Sequence, residues 1–131
     1  DYGGGSGCGG MFVYEPRWPA DFNSAAYTCD WGTSEVYMHR FQKDQATFKP
    51  NQQSFLKISR PTDVDMDTSG RMYVSSWLNG GFSFSDKNVG FVALVTPKEF
   101  VPKPFPFLTT QTPSQLLQLL SGSGAAGTFH V

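Results

Sequence analysis

The charged residues between Arg60 and Asp67 are the ones whose types and spacing suit chemistry. Arg60 precedes three carboxylates, Asp63, Asp65 and Asp67, each two residues after the last. This spacing places the carboxylates on one face of a β-strand, where like charges raise one another's pKa unless a cation or guanidinium lies close. The run therefore suggests a structural cation or a polar cluster around Arg60, and the alternative is that backbone groups satisfy each carboxylate.

Other catalytic and metal-binding patterns are missing from the sequence. The aspartate run is not an EF-hand loop, because Thr68 and Val74 occupy the positions that require glycine and glutamate. His39 falls in an expected strand and His130 near the end of the chain, and an isolated strand histidine is more often a surface or half-buried residue than a base. Apart from the structural cation left open for the aspartate run, we expect no metal site, and we expect no catalytic residue in this chain.

Cys8 and Cys29 are the only two cysteines. They form no Cys-x-x-Cys motif, so neither a zinc site nor a haem attachment site is expected. Cys29 falls in an expected strand, and Cys8 falls in a glycine-rich loop that can reach it. A disulfide between them in an oxidising compartment and a pair of free buried thiols are the two alternatives.

A β-hairpin positions the aspartates. Val64 and Met66 alternate with them, which is the period-two pattern of a strand with one buried face. The residues Asp67-Thr68-Ser69-Gly70 combine an aspartate, small polar residues and a glycine, as tight turns require. Met72 and Val74 then continue the alternation on a return strand.

Part of this hairpin has a second copy in the chain. Tyr27-x-x-x-Trp31 recurs as Tyr73-x-x-x-Trp77, and each copy is followed by a glycine-containing turn and another β-rich run. Repeats of roughly 40 to 50 residues with four short strands are typical of propeller blades. The repeat predicts a partial β-propeller, with a β-sandwich or an open barrel as the alternative.

The whole chain is expected to be mainly β and to have four parts. A glycine-rich loop covers 1–10, and two antiparallel four-stranded blades cover about 11–50 and 51–96. A linker rich in proline and phenylalanine, with Phe100, Phe105 and Phe107 packed on the β body, covers 97–112. A short helix covers 113–121, where Thr112 and Gln115 form a capping box.

Composition narrows the range of partners. The chain has 131 residues with 39% hydrophobic content, 16% charged content and a net charge of -1, so no basic surface for nucleic acid is expected. No run approaches the ~20 apolar residues of a transmembrane helix. A six-bladed propeller needs roughly 250 residues, and two blades alone leave open sheet edges, so another polypeptide is expected to complete the structure.

The order of these motifs resembles the later blades of glucose/sorbosone dehydrogenase-like, quinoprotein-type six-bladed β-propellers. The likeness is closest to the propeller of large bacterial membrane-bound dehydrogenase-like proteins, in which HEAT repeats and a c-type haem domain follow. Only about the last two blades are present. The resembling segments are 22–32, Arg60-Pro61-Thr62-Asp63-Val64, 70–77, 88–90 and 95–98.

The resemblance implies particular site residues. In the quinoprotein members, two arginines of an Arg-x-Arg-Asp-Val motif hold carboxylates of pyrroloquinoline quinone (PQQ). Arg60 and Asp63 match this motif as cofactor-binding residues, whereas Thr62 replaces the second arginine and offers no guanidinium. The family's catalytic histidine belongs to an earlier blade. The resemblance also implies funnel-wall residues, namely Asp30, Trp31 and Trp77.

The resemblance leads to two functional hypotheses. In the first, the chain is a fragment or subunit-like piece of a quinone-dependent sugar or alcohol dehydrogenase and is not catalytically complete by itself. PQQ would bind only in the complete parent, and c-type haem would lie in parts of the parent outside this chain. The alternative is a non-catalytic propeller scaffold or interaction module in a larger protein complex. By resemblance alone, the protein is expected to be exported, periplasmic or membrane-associated.

Overall fold

Two antiparallel sheets dominate the computed structural model, which describes residues 5–79, 87, 89–104 and 106–121. The first sheet has the order β1-β2-β3-β4 and the second β5-β6-β7. A mainly β fold with one short helix is confirmed, and the described strands do not close into a barrel. The elements are β1 (Gly7–Val13), β2 (Ala25–Asp30), β3 (Glu35–Asp44), β4 (Thr47–Lys57), β5 (Pro61–Met66), β6 (Met72–Ser76), β7 (Phe91–Val95) and α1 (Pro113–Ser121), with 3-10 turns at Ala20–Phe22 and Leu108–Thr110.

The strands differ from the sequence-based expectation in three respects, two of them boundaries and one the number of strands in the second sheet. β1 begins at Gly7, inside the segment 1–10 that was expected to be a loop, because its backbone pairs with β2. A bulge at Gly9 accommodates the shift in strand register between Cys8 and Gly10. β4 runs through the expected blade junction at 50/51 as far as Lys57. Within the described part of the chain the second sheet has three strands, where four were expected.

The two sheets share one hydrophobic core. Along β2 and β6, buried residues alternate with partly exposed ones, so each strand turns one face towards the other sheet. Methionines of β5 and β6 pack with valines and an aromatic ring from the first sheet. The buried core residues are Val13, Trp18, Ala25, Tyr27, Cys29, Val36, Met38, Val64, Met66, Met72 and Val74.

The repeated Tyr-x-x-x-Trp motif corresponds to equivalent strands but not to equivalent tyrosines. Trp31 follows β2 and Trp77 follows β6, and each of these is the second strand of its sheet. Tyr27 is fully buried, whereas Tyr73 lies on the outer face and its hydroxyl donates to Asp67 Oδ2 at 3.0 Å. The repeat therefore marks the second strand of each sheet, but it does not predict which face of the strand each tyrosine occupies.

An interlock of five residues, Glu15, Arg17, Trp18, Gly70 and Phe100, joins the loop after β1 to the turn between β5 and β6. The buried Trp18 Nε1 donates to the Gly70 carbonyl at 2.8 Å. Glu15 is fully buried and accepts from Arg17 Nε at 2.6 Å and Nη2 at 2.7 Å. The Arg17 guanidinium lies 5.6 Å from the centre of the Phe100 ring. The interlock holds the hairpin of the second sheet against the first.

The linker and the helix contact the β body unequally. Phe100 packs against the core as expected, whereas Phe107 is 81% exposed, so the expected packing of that residue is wrong; Phe105 lies outside the described residues. The capping box forms, since the Thr112 N–H donates to Gln115 Oε1 at 2.8 Å. No residue of α1 is buried. None of the described helices is long and apolar enough to cross a membrane.

Asp67 organises the turn of the hairpin. Its Oδ1 accepts from the N–H groups of Ser69 at 2.9 Å and Arg71 at 3.0 Å, and its Oδ2 accepts from Arg71 Nε at 2.9 Å. Burial by itself raises the pKa of Asp67, but the hydrogen bonds from Ser69, Arg71 and Tyr73 outweigh it and lower the pKa to about 2. The charged carboxylate is the form that stabilises the fold.

Gly70→Ala is expected to destabilise the protein by about 2 to 4 kcal/mol, because φ is +85° and an added Cβ would lie 2.6 Å from Arg17 Nη2. Urea denaturation measures this free energy of unfolding. Gly7→Ala is the matched control, since a Cβ there meets nothing within 4 Å. A loss for Gly70→Ala no larger than the loss for Gly7→Ala would contradict the role given to Gly70.

Asp67→Asn is expected to make the free energy of unfolding less dependent on acid pH. The folded pKa of Asp67 lies below the ordinary value of 3.8, so its contribution is present in full above that value and is lost as the pH falls towards about 2. We expect the wild type to lose about 1 to 2 kcal/mol more than the variant across this window. Urea titrations at both ends of the window measure the difference, and equal losses would contradict it.

Candidate functional site

The ends of β2 and β6 bring two tryptophans and an arginine together. The ring centres of Trp31 and Trp77 are 5.9 Å apart with a tilt of 47°. The Arg60 guanidinium carbon lies 5.0 Å from the centre of the Trp31 ring, within the range of a cation–π contact. Three of the five residues that the sequence assigned to a cofactor or funnel site therefore meet at the junction of the sheets.

The residues after each strand fix this cluster in place. The Trp31 N–H donates to the Ser6 carbonyl at 2.9 Å, and the Trp77 N–H donates to the Arg60 carbonyl at 3.0 Å. Arg60 has a φ of +43°, and its N–H donates to Ser34 Oγ at 3.3 Å. Arg60 therefore connects the turn after β2 to the residue that follows β6.

A cleft of about 320 Å³ opens between the two tryptophans. We call it the tryptophan cleft; its lining residues are Ser6, Cys8, Trp31, Thr62 and Trp77. The indole Nε1 of Trp31 is buried and has no hydrogen-bond partner among the described residues. Aromatic walls suit a flat or aliphatic group.

Asp30 stabilises the turn beside the cleft. Its Oδ1 accepts from the N–H groups of Ser6 at 2.9 Å and Thr33 at 3.0 Å. Burial opposes ionisation of Asp30, but these hydrogen bonds outweigh burial and lower its pKa. Asp30 was expected on the funnel wall, and it does not line the tryptophan cleft. Its carboxylate positions the backbone that carries Trp31.

The aspartates of β5 are satisfied by their own backbone. Asp63 and Asp65 are exposed, and each accepts the N–H of the following residue, Val64 at 2.9 Å and Met66 at 2.7 Å. No group of three or more histidine, cysteine or acidic residues in the described ranges is placed to hold a metal ion. Backbone N–H groups therefore bind Asp63 and Asp65, as in the second alternative from the sequence, whereas side chains of Ser69, Arg71 and Tyr73 also bind Asp67.

The residues that match the cofactor motif do not fit PQQ. Arg60 supplies one guanidinium beside the tryptophan cleft. Thr62 stands in place of the second arginine, and its hydroxyl is hydrogen-bonded to Ser75 Oγ at 2.8 Å. The Asp63 carboxylate is exposed and does not line the tryptophan cleft. We therefore assign no quinone chemistry to this chain.

A second groove, of about 610 Å³, lies on the outer face of the first sheet and contains a pair that the sequence did not reveal. Thr28 Oγ1 and His39 Nε2 are hydrogen-bonded at 2.7 Å across β2 and β3. His39 is 6% exposed, more buried than expected, and burial lowers its pKa. The strand register brings the pair together, because His39 lies opposite Ala26, which is two residues from Thr28 on the same face of β2. Recognising it requires the strand pairing, which the sequence does not state.

Cys8 and Cys29 are free thiols in this structure, one of the two alternatives that the sequence left open. They are register partners on β1 and β2. Cys8 Sγ donates to the Pro61 carbonyl of β5 at 3.1 Å. Burial raises the pKa of both thiols, and that of Cys29 reaches about 12.

Comparison with known proteins finds no matching family, no matching curated protein and no matching solved structure. The likeness to glucose/sorbosone dehydrogenase-like propellers therefore stays a prediction from sequence motifs.

Proposed function

We propose that this chain is a non-catalytic interaction module, which completes its second sheet with a strand supplied by another polypeptide. The observation that carries this proposal is the outer edge of β7. Within the described residues β7 pairs only with β6, and no strand covers its other side. An uncovered edge presents backbone donors and acceptors that another strand can pair with.

The accessible side chains of β7 are apolar, so contact with another polypeptide is more favourable for this edge than contact with water. Val92 is 66% exposed, Leu94 56% and Phe91 41%, so apolar groups are accessible on both faces of the strand. β7 contains neither a charge nor a proline, which are the usual protections of an edge strand.

The other sheet edges differ from β7. β4, at the far edge of the first sheet, contains Lys49, Pro50 and Lys57. The remaining edges, β1 and β5, approach each other so closely that a Cβ on Gly9 would lie 2.5 Å from Asp63 Cα. Among the edges of the two described sheets, β7 is therefore the one that is neither protected nor covered.

The chemistry of β7 describes the partner. Main-chain hydrogen bonds would supply affinity, and the exposed side chains of β7 select an extended, uncharged segment with apolar residues on both of its faces. The added strand would give the second sheet four strands, the number in the first sheet. Charged segments would be rejected because they would place an unpaired charge against the apolar strand. Proline-rich segments would be rejected because proline lacks the N–H that pairs with the neighbouring strand.

The dehydrogenase-like lineage is the second candidate. It is favoured by the meeting of Trp31, Trp77 and Arg60 at the junction of the sheets, where the resemblance places the funnel of a propeller. In that lineage the chain would contribute part of the funnel wall, and other polypeptide would supply the base and the cofactor contacts. The exported or membrane-associated location implied by the resemblance belongs to this candidate.

A synthetic peptide is a direct probe of strand addition if its pairing segment is the uncharged β7 sequence Phe-Val-Ala-Leu-Val and pairs of lysines lie beyond that segment at both ends to keep it in solution. We expect the peptide to shift the backbone amide resonances of β7 in a ¹⁵N-labelled chain. A chain carrying both Val92→Lys and Leu94→Lys should bind at least about tenfold more weakly, because the two ammonium groups oppose burial against an apolar strand.

Val101→Lys is the matched control, since Val101 is 81% exposed and lies outside the strands. This variant should bind the peptide as the wild type does. The proposal is wrong if the peptide leaves the β7 resonances unchanged, or if the double lysine variant binds as tightly as Val101→Lys.

A further inference from the structure

The facing cysteines of β1 and β2 carry an inference that is independent of the proposed function. We propose that Cys8 and Cys29 form an intramolecular disulfide on oxidation, and that this pair is a redox-sensitive link at the junction of the two sheets. The structure shows the reduced state, in which both thiols are free.

The strand register brings the two residues within bonding range. Cys8 lies directly opposite Cys29 in the antiparallel ladder, so both side chains point to the same side of the sheet. Opposite residues in such a ladder have Cα atoms roughly 4.5 to 5.5 Å apart, and disulfides span about 4.4 to 6.8 Å. The bulge at Gly9, whose φ is +46°, follows Cys8 immediately.

The two thiols differ in access. Cys29 is 1% exposed, whereas Cys8 is partly exposed and lines both the tryptophan cleft and the groove on the first sheet. An oxidant from solvent therefore meets Cys8 first. Because the thiolate is the reactive form and burial raises the pKa of both thiols, oxidation should be slow at neutral pH and faster as the pH rises.

A low-molecular-weight disulfide such as oxidised glutathione is the oxidant class that the step requires. The Cys8 thiolate attacks one sulfur of the oxidant, and the first thiolate leaves. The Cys29 thiolate then attacks the Cys8 sulfur of this mixed disulfide, and the second thiolate leaves. The protein loses two electrons and two protons, and the oxidant becomes two thiols.

Oxidation changes a contact between the sheets. In the reduced state the Cys8 S–H donates to the Pro61 carbonyl of β5. A disulfide sulfur has no proton to donate, so this hydrogen bond is lost while β1 and β2 become covalently joined. The wall of the tryptophan cleft at Cys8 changes in the same step, which links the redox state to the site beside Trp31.

Peptide mapping of the native chain tests the proposal. The reduced protein is incubated in oxidised or reduced glutathione, alkylated with iodoacetamide and digested with trypsin without a reductant. Trypsin cleaves after Arg17, which separates the cysteines, so the disulfide appears as two linked peptides. We expect this link in the oxidised sample alone, with an intact mass lower by two hydrogen atoms, a higher Tm and faster formation at alkaline pH.

Two variants separate this link from unspecific oxidation. Cys8→Ser keeps a hydroxyl donor for Pro61 and should show neither the link nor the oxidation-dependent shift in Tm. Cys29→Ala should leave Cys8 bound to a single glutathione. Full alkylation of both cysteines in the oxidised wild type, or a link between two chains instead of within one, would overturn the proposal. The wild-type peptide map decides the question even if a variant fails to fold.

Discussion

The hydrogen bond from the Trp18 indole to the Gly70 carbonyl is the contact on which the rest of this structure depends. It joins a loop of the first sheet to the hairpin turn of the second, and the ion pair between the buried Glu15 and the exposed Arg17 lies against the same glycine. A buried carboxylate is costly unless it is paired, so Glu15 keeps Arg17 in place, and Arg17 in turn covers Phe100. The sheets therefore have one relative position, with a shared core between them.

That position determines which surfaces are covered and which are left accessible. β1 and β5 approach each other at Gly9, and the strands β2 and β6 end where Trp31 can meet Trp77. The far edge of the second sheet, β7, is left with exposed apolar side chains and no charge. A single arrangement thus produces both the tryptophan cleft and an edge of β7 that none of the described strands covers.

Features encoded by neighbouring residues could be predicted from the sequence, and features that depend on register could not. The turn at Asp67 and the cap at Thr112 follow from local hydrogen bonding, and both form as expected. The strand at Gly7 has a loop-like composition and exists because β2 pairs with it. The burial of His39 against Thr28 depends on the alignment of two strands. From the sequence, Trp31 and Arg60 were expected only to belong to the same funnel. Their direct contact could not be predicted, because it depends on how the two sheets pack.

Native-state hydrogen exchange tests most directly whether the two sheets form one unit in which the outer edge of β7 is accessible. The central amides of β2 and β3 and those paired between β5 and β6 should exchange with the same opening free energy, equal to that of global unfolding. The β7 amides that point away from β6 should exchange much faster. Separate opening free energies for the two sheets, or outward β7 amides as protected as the core, would contradict this account.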